Sequence, residues 1–248
     1  MPLRFVFAML LAVSALGVAR PPLAAAADFT PDQKTQIETI VRQYLKNHPE
    51  ALIDAIQAAD DKLKADAKDK VAQALTANRQ RVYDDPQSPV GGNPNGNVTL
   101  VEFFDYRCPY CKQVEPSLEK LVGEDHQLKF VFKEFPVLGP DSEVAARVAL
   151  AAKKQGKYEA FHRAMMGTGG HIDEAVIYKV AAAVGLDMDR LKQDMTSPDI
   201  ETELKANLDL GKTLDLDGTP SFIVGTTIVP GAISAADLKQ LVADARKK

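Results

Sequence analysis

Cys108 and Cys111 are the only cysteines among 248 residues, and two residues separate them in Cys108-Pro109-Tyr110-Cys111. A ring this small constrains the unfolded chain little, so the pair does chemistry rather than staple a fold. A Cys-x-x-Cys between a strand and a helix start is a redox signature. Unpaired N–H groups and the helix dipole at that position favour a thiolate on Cys108. The thiolate is the attacking and leaving form in disulfide exchange. Pro109 lacks an N–H and suits the first turn. The Pro109-Tyr110 dipeptide leaves the reduction potential open. Cys111 falls about one helical turn on, more buried, where it can resolve a mixed disulfide. A structural zinc site needs about four ligands, but His48, His126, His162 and His171 are scattered, so no metal is expected. Thiolates also suit copper(I), yet no Met flanks the motif. A copper-handling or chaperone protein with incidental thiols is the rival from another class.

A second segment, Leu216-Asp217-Gly218-Thr219-Pro220-Ser221-Phe222, supports the same chemistry. Gly218 permits a sharp turn, and Pro220 stands at a strand entrance. Such a proline marks an ordinary turn or a cis peptide, and sequence alone favours trans. The cis form would turn the Thr219 backbone toward the cysteines and offer an extended peptide a place to pair.

These residues need elements to hold them. Val98 to Phe104 is β-branched and aromatic and reads as a buried strand. Val114, Leu118, Leu121 and Val122 continue as a helix after the cysteines. Leu128 to Phe135 alternates as a second strand. Asp141 to about Leu214 is helical in pieces, interrupted near Gly167-Thr168-Gly169-Gly170. Ser221–Val224 and Thr226–Val229 read as short strands around Gly225, and Ser234 caps a last helix. Asp84 to Asn97 is rich in Asp, Pro, Gly and Asn and reads as a linker.

Upstream, Thr30-Pro31-Asp32-Gln33 opens a helix with a capping box, followed by Ile37, Ile40, Val41 and Tyr44. Asn47-His48-Pro49 breaks it. A longer helix runs from Pro49 to about Arg81, with a narrow stripe of Leu52, Ile56, Ala59, Leu63, Ala67, Val71 and Leu75. Its middle is nearly all charge and alanine, so it buries little alone. It is either a solvated arm or a stalk that pairs with copies of itself. At the start, Phe5 to Val18 carries no charge and Leu23 to Ala27 supplies small residues. That pattern is a secretory leader cleaved near Ala26, with an uncleaved anchor as the alternative. Cleavage leaves 28 basic and 34 acidic residues, a net charge of −6. No basic patch appears, so nucleic acid is not an expected partner.

Phe103 to Lys112, Lys133-Glu134-Phe135-Pro136 and Gly218 to Phe222 together resemble the DsbA-like branch of the thioredoxin superfamily, from about Val82 to the C-terminus. The resemblance implies an α/β thioredoxin fold with a helical insertion at about 139–215. It implies that Pro220 is cis, and that Glu102 is a buried acid beneath the cysteines with Lys133 as its partner. Glu102 could then pass protons to or from Cys111. The residues alone also allow Glu102 and Lys133 to be a surface pair on adjacent strands. Phe29 to about Arg81 resembles the leading helical region of the suppressor-of-copper-sensitivity C proteins, which implies a homo-oligomer, with a trimer favoured.

The expected organisation is a leader at 1–26, a helical oligomerisation region at 27–82 and a DsbA-like domain at 83–248. The expected function is periplasmic thiol–disulfide exchange, in the isomerase or reductase direction, with a monomeric dithiol oxidase as the alternative. Cys108 and Cys111 carry it, and Thr219 and Pro220 dock the substrate backbone. Pro109, Tyr110, Glu102 and Lys133 support the site. No dissociable cofactor is needed, because the sulfurs carry the electrons. The expected partners are unfolded or misoxidised exported proteins and a membrane redox partner.

Overall fold

A computed structural model describes residues 29–247. The leader expected at 1–26 lies outside them. The chain divides into two compact units, one up to Asp60 and one from Asp61 onward.

The first unit holds helix α1 (Pro31–Asn47) and the first part of α2 (Pro49–Ala77). The capping box forms as the sequence predicts. Thr30 Oγ1 accepts from the Gln33 N–H, and Gln33 Oε1 accepts from the Thr30 N–H at 2.9 Å. Ile37, Ile40, Val41, Tyr44, Leu52, Ile53 and Ile56 remain exposed. These helices present an apolar face that nothing covers among the described residues.

The second unit is built on a five-stranded sheet of order β1-β3-β2-β4-β5. The strands are β1 (Val90–Gly92), β2 (Val98–Phe104), β3 (Leu128–Glu134), β4 (Ser221–Val224) and β5 (Thr227–Pro230). β2 and β3 are parallel, and the other pairs are antiparallel. Successive side chains on a strand face opposite ways, and this parity divides the core. Leu100 and Phe104 of β2 join Phe130 and Phe132 of β3 on one face. Helix α4 (Pro109–Glu124) packs there through Cys111, Val114 and Leu118, as do α10 (Ala235–Arg246) and the inserted helices. Val101, Phe103 and Val131 point the other way, onto Leu75, Val82, Leu210 and Leu214.

The insertion comprises α5 (Pro140–Lys154), α6 (Tyr158–Met166), α7 (Glu174–Ala183), α8 (Met188–Asp194) and α9 (Pro198–Thr213). The long helix ends earlier than predicted. Asn78 Nδ2 donates to the Ala74 carbonyl at 2.9 Å, so a side chain competes with the helical ladder. A short α3 (Arg79–Tyr83) follows. Packing and composition also divide the chain at different places. Val71, Ala74 and Leu75 already lie against the sheet, so the contact boundary falls inside α2 rather than near residue 82. The segment read as a linker contains β1, whose Gly91 and Gly92 gave no strand signal. Close approach explains one of its glycines, since a Cβ on Gly96 would lie 2.6 Å from the Gln127 carbonyl oxygen.

Candidate active site

The dithiol sits where β2 gives way to α4. Cys108 is the N-cap residue, with extended backbone, and Pro109 is the first helical residue. Buried Asp105 sets this turn. Its Oδ1 accepts from the Arg107 N–H and the Ser142 hydroxyl, both at 2.8 Å. Its Oδ2 accepts from the Val137 and Leu138 N–H groups, each at 3.0 Å. One carboxylate thereby ties the cysteine loop to the segment that follows β3. An Asp two residues before a free N–H is an Asx-turn signal, and that was the cue available in the sequence.

The Thr219–Pro220 peptide is cis, the form the family resemblance implied and the residues alone did not favour. It brings the Thr219 carbonyl oxygen to 3.2 Å from Cys108 Sγ, where the thiol donates to it. Cys108 is 3% exposed and Cys111 fully buried. The Cys108 thiol is lowered to about 5. The Cys111 thiol, hydrogen-bonded to the Cys108 sulfur, is the largest cause. Burial opposes it, and the side chain of Thr219 and the N–H groups of Cys111 and Tyr110, as donors to the thiolate, add to it. The same hydrogen bond, followed by burial, pushes Cys111 up strongly. The two sulfurs are therefore unlike: one ionises readily and the other holds its proton. Tyr110 projects into solvent at 60% exposure.

Glu102 is fully buried, and neither carboxylate oxygen has a hydrogen-bond partner. Burial, then the charges of Glu115, Cys108 and Glu134, hold it well above the usual carboxylate range. Lys133 is not its partner. Glu102 shares the α4 face with Phe104, whereas Lys133 aligns with Phe103 and faces the opposite side of the sheet. There Lys133, also fully buried, pairs with Asp85 at 2.8 Å. Burial raises Asp85, but the hydrogen bond and charge of Lys133 outweigh it and leave Asp85 lowered. The alternative of a surface pair fails as well, because neither side chain reaches the surface.

A buried polar cluster that sequence reasoning missed lies on the Glu102 face. Glu134 accepts from the Tyr158 hydroxyl at 2.8 Å and the Tyr106 hydroxyl at 3.1 Å. Tyr106 also meets His162 Nδ1 at 3.1 Å, and His162 Nε2 lies 3.3 Å from Glu115 Oε1. Burial, before other causes, pushes Glu134 above its ordinary range. Glu115, one turn beyond Cys111 on α4, and Tyr158 with His162, one turn apart on α6, had helical spacings that could have pointed here. Lys112 donates to the Met165 carbonyl at 2.6 Å and the Met166 carbonyl at 3.3 Å, and burial lowers it to about 8. Among the described residues no cluster of three or more His, Cys, Asp or Glu side chains is arranged to hold a metal ion.

A strand-to-helix dithiol faced by a cis proline, on a sheet flanked by helices, defines a thioredoxin-fold thiol oxidoreductase. Residues 99–243 match the DSBA-like thioredoxin domain, and the chain belongs to that family. Residues 33–65 match the copper resistance protein ScsC N-terminal domain. A thioredoxin-like oxidoreductase from Silicibacter pomeroyi DSS-3 is 44% identical, covers 69% of this chain and 99% of its own, and has a TM-score of 0.68. Proteus mirabilis ScsC in a transitional conformation is 30% identical, covers 88% of this chain and 97% of its own, and has a TM-score of 0.65. The protein is thus a DsbA-like oxidoreductase similar to ScsC. Its first curated relative, Na(+)/H(+) antiporter NhaA 1 of Salinispora arenicola, is 29% identical over 143 residues, or 57% of this chain. The chain spans 22% of that antiporter's length, and the likeness carries nothing about the rest of it.

Proposed function

We propose that this protein is an exported, periplasmic thiol–disulfide exchange catalyst working as an isomerase or reductase on misoxidised proteins. The observation that carries this reading is the unlike pair of sulfurs beside the Thr219 carbonyl. Cys108 thiolate attacks a client disulfide, a Cys108–client S–S bond forms, and the other client sulfur leaves and takes a proton. In isomerisation that sulfur, or another client thiolate, later attacks the mixed disulfide and releases Cys108 with no net oxidation. In reduction Cys111 gives up its proton and attacks Cys108. The client leaves as a thiol and the protein becomes the Cys108–Cys111 disulfide, which a membrane reductant must restore. Thr219 and Pro220 dock the client backbone by strand-like pairing, and buried Glu102 passes protons to or from Cys111 as the disulfide exchanges.

The direction rests on the uncovered helices, because a sulfur ionised at about pH 5 stabilises the reduced dithiol in an isomerase and in a dithiol oxidase alike. The uncovered apolar face of α1 and early α2, in the region matching the ScsC N-terminal domain, fits self-association into a trimer. Several catalytic units around a shared space can hold a misfolded client. The test pairs sedimentation with refolding of a scrambled disulfide substrate. Wild type should sediment as an oligomer and restore the substrate. Ile40→Glu with Ile53→Glu should yield a monomer that loses isomerisation but keeps a reactive Cys108. A monomeric wild type unable to rescue the substrate sinks this reading in favour of a dithiol oxidase. Stoichiometric cuprous-ion uptake by the dithiol without turnover would favour a copper-handling role.

A further inference from the structure

A cleft of about 260 Å³ opens beside the dithiol. Arg107, Pro109 and Lys112 line it from the cysteine loop and the first turn of α4, and residues 168–172 close it after α6. Arg107, Lys112 and His171 are among its lining residues, and no carboxylate residue is. This occurs in a chain whose net charge is −4.

The cations are only partly engaged. Arg107 gives Nη1 to the Leu138 carbonyl at 3.0 Å and lies 3.7 Å from Asp141. No other bond is made by its guanidinium among the described residues, which leaves Nε and Nη2 as donors. Lys112 spends two N–H groups on Met165 and Met166 and keeps a third. Asp105 and Glu115 add negative charge near it, and at about 8 it remains mostly protonated at neutral pH. The N–H groups of Gly169, Gly170 and His171 bond to no described protein group. Gly170 sits at φ +77°, in the left-handed region, and both glycines border open space. Consecutive free N–H groups at such a turn make a concavity suited to anions.

We infer that this cleft is a carboxylate subsite for the partner whose sulfur Cys108 captures, so that exchange prefers thiols and disulfides bearing an acidic group beside the sulfur. The inference rests on the exchange chemistry proposed above. Arg107 and Pro109 flank Cys108 in the chain, so an acidic side chain one or two residues from a captured cysteine reaches the cleft. The carboxylates of a small acidic thiol such as glutathione have the same chemistry and are the second source.

The test uses the reduced full-length protein and three peptides that differ only in Asp, Ser or Lys beside one cysteine. Each cysteine is presented as its disulfide with mercaptoethanol, and single-turnover capture by Cys108 is timed. Wild type should take the Asp peptide about threefold to tenfold faster than the Ser peptide, the scale of a partly exposed charge contact, and the Lys peptide slowest. The preference should shrink toward parity at 1 M salt. In Arg107→Gln, and separately in His171→Gln, the Asp/Ser ratio taken within each variant should fall. Glutathione disulfide compared with its fully esterified form separates the sources. A preference confined to peptides assigns the cleft to protein clients, and one shared by glutathione extends it to small acidic thiols. Equal rates for Asp and Lys peptides, with exchange intact, overturn the subsite alone. No capture of any peptide overturns the exchange reading and the subsite together.

Discussion

Replacing Cys111 by alanine tests whether one hydrogen bond makes the nucleophile. The Cys111 thiol is the largest cause holding Cys108 down at about 5. A hydrogen bond to a charged group contributes about 1.5–3 kcal/mol. Since 1.36 kcal/mol is one pH unit, Cys108 in Cys111→Ala should ionise at about 6–7. The site is 3% exposed, so solvent screening does not dilute the effect. Cys111→Ser keeps a donor in place and should titrate near wild type. The assay is thiolate absorbance together with the pH dependence of iodoacetamide alkylation. Both readouts should move in the alanine variant. The midpoint rises, and the limiting rate at high pH rises about threefold to tenfold, because nucleophilicity grows with thiol basicity at a slope of about 0.4–0.5. If the alanine and serine variants both titrate at about 5, the helix start rather than Cys111 sets the ionisation.

Two further outcomes follow from the buried charges. Glu102 is raised in the folded state, so its contribution to stability is full below the unfolded carboxylate value and is lost as pH rises toward its folded value. Wild type should therefore gain stability in urea as pH drops from 7 toward 4, and Glu102→Gln should flatten that gain, whereas a parallel slope in the variant rules Glu102 out as its source. Asp85→Ala strands the fully buried Lys133 ammonium and should cost about 3–5 kcal/mol in urea unfolding. Lys133→Met with Asp85→Leu should recover much of that and leave the Cys108 titration in place; a shifted Cys108 midpoint in the double variant would mean Lys133 acts on the dithiol after all.

The dithiol and the strands around it were legible because they rest on local signals: β-branched runs, a proline at a helix start and glycine at a turn. The Thr219–Pro220 geometry was legible only through family likeness, since an X-Pro dipeptide carries little information about its isomer. The Glu102–Lys133 pairing went astray through parity. Parallel register sets Glu102 beside Phe132 and Phe103 beside Lys133. A single step along a strand exchanges faces, and nothing local in either strand fixes which charge lands beneath the sulfurs. Asp85 was hidden within a segment read as linker. The Tyr106–His162–Glu134–Tyr158 cluster joins the loop after β2, the end of β3 and one face of α6, and no sequence spacing reports the meeting of these three places.

Capture of a client changes the electrostatics that hold the second proton. In the free dithiol, Cys111 is pushed up first by its hydrogen bond to Cys108 and then by burial. Glu102 is pushed up by burial and by neighbouring charges that include Cys108. A mixed disulfide leaves Cys108 uncharged, so the first cause acting on Cys111 vanishes, and one of those acting on Glu102 vanishes with it. Burial remains the leading cause for both, joined by the charge of Glu102 on Cys111 and by those of Glu115 and Glu134 on Glu102. The resolving thiol is therefore restrained while idle and released by the event it must answer. Carbamidomethylation of Cys108 mimics this uncharged state without offering a sulfur to attack. Cys111 in the modified protein, followed by its carbon shift in NMR, should ionise at lower pH than in the free dithiol yet above an ordinary thiol, since desolvation persists. The same ionisation in both forms would mean that burial alone governs Cys111, and that capture does nothing to ready it.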